Sequence, residues 1–152
     1  MTHDAATPFI CKEVFGMFCE KEIGFGIARN VFVSPILPDR VIKVEKGVQS
    51  FQNVSEWQVW ETAKDSPFAK WFAPCYFISN CGAVLIQART TPPPDRSIYP
   101  EKLPVFLSDT KYQNYGMFEG RLVCHDYGAL CCAISNGLTK RERKVDWWDT
   151  EE

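Results

Sequence analysis

Several short stretches of the chain alternate or cluster apolar residues in the way that is typical of β-strands. The stretch 41–44 reads Val-Ile-Lys-Val, and residues 77–79 and 83–87 form two more stretches around a turn at 80–82. Two further strands are expected on either side of a glycine-containing turn at 24–26. Together these stretches predict a five-stranded antiparallel sheet.

Apolar residues spaced three or four apart predict helices in two other places. The clearest helix covers residues 55–64, and Asn53 or Ser55 can cap its start. Residues 8–18 have a similar spacing and predict a second helix, packed on the sheet. Strands and helices in this arrangement indicate an α+β fold.

Two features organise the second half of the chain. Three consecutive prolines at 92–94 favour an extended polyproline segment and exclude a helix there. Residues 117–124 then predict a hairpin, in which two strands are joined by a turn at Glu119–Gly120. Because a hairpin brings its two ends together, Asn114 and Asp126 are expected to lie close to each other.

Composition and charge narrow the class of protein. The length of 152 residues is that of a single domain, and 45 % apolar residues are typical of a globular chain. A net charge of −2 gives no electrostatic signature of a protein that binds nucleic acid or an anionic membrane. The basic run 140–144 is followed at once by acidic residues, and we interpret it as a solvated helix and tail.

The number and spacing of the cysteines indicate the cellular compartment. The seven cysteines form no C-x-x-C motif and no paired framework, which favours reduced thiols in a cytoplasm. With only two histidines, a zinc site is not expected. We expect neither a signal peptide nor a membrane-spanning segment.

Two adjacent tryptophans, Trp147 and Trp148, lie near the C-terminus. They are consistent with two arrangements. Either they complete the core of the second half, or they form an exposed anchor for a protein partner or a homodimer, because tryptophan is enriched at interface hot spots.

The residues with the clearest chemistry lie between the prolines and the C-terminus. Asp109 and Asn114 are five residues apart, with Lys111 between them. The sequence Asp-Tyr-Gly at 126–128 follows directly after the predicted hairpin. Residues 109–114 and residues 126–128 are each ordinary loop sequences when taken alone. The hairpin that joins them favours a shared site.

A second set of residues lies upstream. Gly24, Gly26, Arg29 and Val31 form the pattern G-x-G-x-x-R-x-V across the first predicted turn. In this pattern the glycines allow close backbone approach to an anion, and Arg29 adds a positive charge.

Lys43 lies on the next strand, and Glu56 follows thirteen residues later on the predicted helix. Glu56 is the partner that we choose for Lys43, and Glu61 is the alternative. Gln87 and Ala88 end the last strand of the predicted sheet.

In this order the motifs resemble those of the protein-kinase-like superfamily, over roughly residues 20–130. The chain is also similar to small kinase-like proteins predicted in bacteriophages, which share the G-x-G-x-x-R-x-V and D-Y-G patterns. The resemblance implies a kinase-like N-lobe, with one αC-like helix on the five-stranded sheet, and a severely reduced C-lobe. It divides the single domain into an N-terminal helical segment at 1–20, an N-lobe-like sheet and helix at 21–90, a Pro-rich connection at 91–106, a catalytic-loop and D-Y-G hairpin at 107–130, and a C-terminal tail at 131–152.

The resemblance also implies ATP and Mg²⁺ as cofactors, with Asp109 positioning the acceptor hydroxyl. It assigns catalytic roles to Lys43, Glu56, Asp109 and Lys111; nucleotide contacts to Gly24, Gly26, Arg29, Val31, Gln87 and Ala88; and metal ligation to Asn114 and Asp126.

The chain departs from the kinase pattern in ways that leave two functions open. Arg29 stands where the kinase pattern has its third glycine, and Leu107-Ser108 stands where kinases carry His-Arg. The Pro-rich connection leaves no room for the usual substrate lobe. One function is an ATP- and magnesium-dependent phosphotransferase acting on an unknown hydroxyl acceptor. The other is a non-catalytic kinase-like binding protein, such as a phage factor that binds and inhibits a host protein in the bacterial cytoplasm.

Overall fold

The computed structural model describes residues 7–25, 28–47 and 50–150, and shows an α+β fold. In chain order its elements are α1 (Thr7–Phe18), β1 (Lys21–Phe25), β2 (Arg29–Val33), β3 (Arg40–Glu45), α2 (Gln52–Ala63), β4 (Cys75–Ile78), β5 (Val84–Ala88), β6 (Lys102–Pro104), β7 (Tyr115–Phe118), β8 (Arg121–Cys124), α3 (Cys131–Ile134) and β9 (Glu142–Lys144).

The five strands β1 to β5 form one sheet in the order β1-β2-β3-β5-β4, and all neighbouring strands are antiparallel. The predicted five-stranded antiparallel sheet is therefore confirmed. Strand β3 lies at its centre, where Val41, Ile42 and Lys43 are all buried. β-Branched residues suit such a strand, whereas a buried lysine requires a partner.

The predicted N-terminal helix is present as α1. The ring of Phe15 packs edge-on against Phe32 of β2, with ring centroids 5.5 Å apart. On the same helix Val14 and Met17 are exposed.

Helix α2 packs against β3, β4 and β5 of the sheet. Its buried side chains recur every three or four residues, as expected for a helix with one face on a sheet: Asn53, Glu56, Val59 and Ala63. Two of these four side chains are polar, and this is unusual for a buried face.

The start of α2 differs from the prediction. Neither Asn53 nor Ser55 caps the helix, because it begins earlier and Phe51 occupies the N-cap position with a φ of 51°. The N–H of Asn53 instead donates to Oε1 of Glu45 at 2.7 Å. A carboxylate from β3 thus satisfies one of the N–H groups that every helix leaves open at its start.

Strands β7 and β8 form the predicted hairpin, in register from Tyr115 opposite Cys124 to Phe118 opposite Arg121. The turn residues Glu119 and Gly120 have φ values of 49° and 78°. Two successive residues with positive φ match a type I′ turn, whose twist suits a two-residue hairpin.

The C-terminal part of the chain is tied to the Pro-rich connection. Strand β9 pairs with β6, with Lys144 opposite Lys102. Residues 140–144 are largely exposed, as predicted, but the prediction that they form a helix is wrong. This pairing joins segments about forty residues apart, and the N–H of Val145 extends it by donating to the carbonyl of Glu101 at 2.9 Å.

The main core lies between α2, the sheet and the second half of the chain. Its largest fully buried members come from all three parts: Val59, Phe72, Leu85, Leu103, Leu107 and Tyr127. Both halves of the chain therefore share this core.

The segment after β5 packs tightly against the β7–β8 hairpin at Gly116. A Cβ atom at Gly116 would lie 2.7 Å from Cβ of Thr90 and 3.1 Å from Nδ1 of His125. We expect Gly116→Ala to lower the free energy of unfolding by about 1–3 kcal/mol, because the added methyl group overpacks this contact. Urea denaturation would measure this loss of free energy.

Gly16→Ala is the matched control, since a Cβ there meets nothing within 4 Å. In the middle of α1 this change is expected to be neutral or to stabilise by up to about 1 kcal/mol. Equal losses in both variants would contradict the proposed tight contact.

In the part of the chain that the structure describes, no helix is both long and apolar enough to cross a membrane. The six cysteines whose side chains are described are free thiols. The cytoplasmic location stays a prediction.

Candidate functional site

The carboxylate of Glu56 is the centre of a buried charge cluster. Oε2 of Glu56 accepts from Nζ of Lys43 at 2.7 Å and from Nη1 of Arg29 at 2.8 Å. Oε1 accepts from the backbone N–H of Tyr127 at 2.7 Å. The Glu56 side chain is 0 % exposed, so three donors replace the water that its charge has lost.

The pairing of Lys43 with Glu56 is the one chosen from the order of the elements. The alternative partner, Glu61, lies on the exposed side of α2 and pairs with Lys64 at 2.8 Å. Glu56 sits on the buried face of α2, and Lys43 projects from β3 towards it. The catalytic role of this pair stays a prediction.

Asn53 completes the inner side of the cluster, a role that the sequence did not reveal. Its Nδ2 donates to the carbonyls of Lys43 at 3.1 Å and Gly82 at 3.0 Å. Its Oδ1 accepts from Nη1 of Arg29 at 3.1 Å. The spacing of Asn53 and Glu56, three residues apart on one helix face, is the signal that could have indicated it.

Asp126 forms the outer side of the cluster. Its Oδ1 accepts from Nη2 of Arg29 at 2.9 Å, and its side chain is 55 % exposed. The ammonium of Lys43 also donates to the backbone carbonyl of His125. Arg29 thus joins Glu56 to Asp126, and residues 29, 43, 56 and 126 meet at one point.

The charges around Glu56 determine its protonation. Burial alone would raise the pKa of Glu56, but the positive charges of Lys43 and then Arg29 outweigh it and hold the pKa at about 2. The carboxylate therefore stays ionised at neutral pH.

The structure describes part of the glycine pattern that runs from Gly24 to Val31. Gly24 lies opposite Val31 in the β1–β2 ladder, and Val31 lies opposite Lys43 in the next one. Gly26 lies outside the described residues. Arg29, which takes the place of the third glycine, turns into the cluster and is 7 % exposed.

The two residues of β5 that are expected to contact a nucleotide lie inside the fold. Gln87 is fully buried between β3 and β4, and the N–H of Ala88 donates to the carbonyl of Pro74 at 2.8 Å. The next N–H, of Arg89, donates to the carbonyl of Asp39 at 2.9 Å. Contacts of Gln87 and Ala88 with an adenine ring stay a prediction.

Asp109 and Lys111 lie beside the C-terminal segment. The N–H of Trp148 donates to the carbonyl of Thr110 at 3.2 Å, and Nζ of Lys111 lies 5.6 Å from the centre of the Trp148 ring. Burial chiefly raises the pKa of Tyr115, and the charge of Asp109 adds to this effect. Among the described residues, no hydrogen bond or ion pair joins Asp109 or Lys111 to the charge cluster.

The two expected metal ligands flank the base of the hairpin. The carbonyl of Asn114 accepts from the N–H of His125 at 2.8 Å, so the chain around Asn114 and Asp126 is brought together. The Asn114 side chain is 6 % exposed. Oδ1 of Asp126 already faces the guanidinium of Arg29, whose positive charge opposes a second cation there. This arrangement fits magnesium poorly, and magnesium binding stays a prediction.

His125 connects the hairpin to the end of the sheet. Its Nδ1 lies 2.6 Å from Oγ1 of Thr90, and its Nε2 lies 2.7 Å from the carbonyl of Gln113. Burial lowers the pKa of His125, and the charge of Lys43 lowers it further. The neutral imidazole fits both contacts, with Nε2 donating and Nδ1 accepting.

We therefore expect the protein to lose stability as the pH falls through the ordinary histidine range near 6.5. The folded state binds the proton less readily than the unfolded chain, so acidification favours unfolding. Urea midpoints between pH 8 and 5 would measure this slope. In His125→Asn the slope over this interval should be reduced, and an unchanged slope would contradict the assignment.

The two tryptophans have different surroundings. Trp147 packs among Tyr99, Tyr112 and Tyr115, and its Nε1 donates to the carbonyl of Pro100 at 2.8 Å. Trp148 is 48 % exposed. Trp147 is therefore half-buried against the core, while Trp148 lies at the surface.

Comparison of the chain with protein-family models, with curated proteins and with solved structures finds no match in any of the three.

Proposed function

We propose that this chain is a small kinase-like protein that binds ATP and acts by binding, without transferring the phosphate. The strand order β1-β2-β3-β5-β4, with α2 between β3 and β4, supports a kinase-like N-lobe in which α2 corresponds to the αC helix. The ion pair between Lys43 of β3 and Glu56 of α2 supports the same interpretation.

The contact between Arg29 and Asp126 is the observation that carries the proposal. In kinase-like phosphotransferases an aspartate at this place in the order of motifs holds the metal that bridges the phosphates. Here the guanidinium of Arg29 lies 2.9 Å from the carboxylate of Asp126. Contacts with Glu56 and Asn53 hold this guanidinium in place. The protein therefore supplies its own cation at Asp126.

The surroundings of Asp109, the candidate for positioning an acceptor hydroxyl, favour nucleotide binding without phosphoryl transfer. Thr110, next to Asp109, has its hydroxyl donating to the carbonyl of Asp146 at 2.8 Å and its own carbonyl accepting from Trp148. The C-terminal segment thus lies along the loop on which a kinase would receive its acceptor.

Phosphoryl transfer is the second candidate, and the buried Lys43–Glu56 pair favours it. In that case Lys43 and Lys111 would hold phosphates and Asp109 would orient an acceptor hydroxyl. A protein partner contacted through Trp148, a homodimer, and a host-protein target stay predictions.

Two measurements on the full chain separate the candidates. Calorimetry should detect saturable ATP binding, and an assay with ATP labelled at the γ-phosphate should detect no transfer or release. Asp109→Asn is expected to bind ATP as the wild type does. Labelled product that disappears in Asp109→Asn would establish the phosphotransferase instead, and no binding at millimolar ATP would overturn the nucleotide proposal.

A further inference from the structure

The buried part of the cluster carries an excess of positive charge. Arg29, Lys43 and Glu56 are 7 %, 4 % and 0 % exposed, and two cations there face one carboxylate. A buried charge without a partner is costly. The balancing negative charge comes from Asp126, the one member of the cluster that is exposed.

Asp126 is held more loosely than the other three residues. Among the described contacts its carboxylate has one partner, Nη2 of Arg29, whereas the carboxylate of Glu56 has three. The opposite side of the guanidinium remains fixed by Asn53 and Glu56. Asp126 can therefore turn outward while the buried contacts stay in place.

When Asp126 turns outward, it exposes donors that suit an oxyanion. Nη2 of Arg29 loses its 2.9 Å acceptor and keeps only a 3.5 Å contact with Oε1 of Glu56. The Lys43 ammonium uses two of its three N–H groups on Glu56 and the carbonyl of His125. A guanidinium beside an ammonium is a suitable pair of donors for a phosphate group.

We infer that the carboxylate of Asp126 is an internal ligand of a phosphate-binding site, and that a polyphosphate displaces it from Arg29 without a divalent cation. This inference rests on the proposed nucleotide binding and names the part of the nucleotide that the cluster receives. The shared ligand chemistry is a chain of phosphates, from a nucleoside triphosphate or from inorganic polyphosphate.

The two possible roles of Asp126 predict opposite effects of Asp126→Asn on the affinity for ATP. If Asp126 held magnesium, Asp126→Asn would weaken ATP binding. If Asp126 competes with the phosphates, Asp126→Asn removes the competitor and its repulsion, and affinity rises. The ion pair that must be broken is partly exposed and therefore weak, and the relieved repulsion adds to its loss, so we expect a roughly tenfold gain in affinity.

The experiment uses the full chain as wild type, Asp126→Asn and Asp149→Asn. Asp149 is a matched control, because it is also an exposed aspartate paired with an arginine, Arg96 at 2.6 Å, outside the cluster. Calorimetry is run with ATP, tripolyphosphate and adenosine, first in EDTA and then in magnesium. A second variant, Asp126→Ser, guards against a specific effect of the amide, and thermal melting confirms that each variant is folded.

Tighter binding of ATP and tripolyphosphate by both Asp126 variants in EDTA, with Asp149→Asn unchanged, is the expected result. Binding that requires magnesium, or that weakens in the Asp126 variants, would overturn the inference and leave nucleotide binding standing. Tripolyphosphate binding without any ATP binding would retain the phosphate site and overturn the nucleotide proposal. Absence of binding to every ligand would overturn both.

Discussion

Replacing Glu56 by glutamine is expected to lower the free energy of unfolding by about 3–5 kcal/mol. The substitution keeps the shape of the side chain but removes the negative charge between Arg29 and Lys43, both of which are buried. Two cations then face each other with no carboxylate between them. Since domains of this size have about 5–15 kcal/mol of stability, the variant should be close to unfolding in mild urea.

Glu61→Gln is the control for this change. Glu61 lies on the same helix and also pairs with a lysine, Lys64, but that pair is exposed to solvent. Its loss should change stability by less than about 0.5 kcal/mol. A similar small effect for Glu56→Gln would mean that the buried cluster contributes nothing specific to the fold.

Acid unfolding provides an independent check on the same residue. The pKa of Glu56 is about 2 in the folded protein and 4.5 as its ordinary value. Because the folded pKa is the lower one, the contribution of Glu56 is complete above pH 4.5 and is lost as the pH falls towards 2. Glu56→Gln cannot titrate, so its stability should decline less over this interval than that of the wild type.

The sheet and the hairpin were predictable because their signals are local. A cluster of β-branched residues specifies β3, and Gly120, which adopts a positive φ readily, favours the tight turn that joins β7 to β8. The Lys43–Glu56 pair was predictable from the order of strand and helix. That order leaves few places where a buried lysine can find a carboxylate.

The sequence did not predict the role of β9. The strand Glu142–Lys144 consists of three charged residues with little intrinsic strand preference, so only its partner β6 makes it a strand. Local patterns contain no information about a partner about forty residues away. The same reason applies to Thr110 and Trp148, whose pairing covers the loop that carries Asp109.

The centre of the candidate site was predicted only in part. Arg29 was recognised as a departure from a glycine pattern, but its bond to Asp126 joins residues 97 positions apart. Asn53 was expected to cap a helix, because asparagine is common at helix starts. Burial overrides that preference, since the side chain satisfies two carbonyls and one guanidinium inside the fold.

Removing the side chain of Trp147 is the second large effect that we expect. Its ring lies 4.8 Å from the Tyr99 ring and 4.9 Å from the Tyr115 ring, measured between centroids. Its Nε1 donates to the carbonyl of Pro100, which joins the C-terminal segment to the Pro-rich connection. Trp147→Ala should lower the free energy of unfolding by about 3 kcal/mol, measured by urea denaturation.

Trp148→Ala is the control for Trp147→Ala, because the two tryptophans are adjacent in the chain but differ in exposure. Trp148 is 48 % exposed and its ring contacts the ammonium of Lys111 at 5.6 Å, so its removal should cost less than about 1 kcal/mol. Equal losses in the two variants would show that both rings belong to the core and would remove Trp148 as a surface anchor. A large difference would leave Trp148 as an exposed aromatic side chain that the fold does not require.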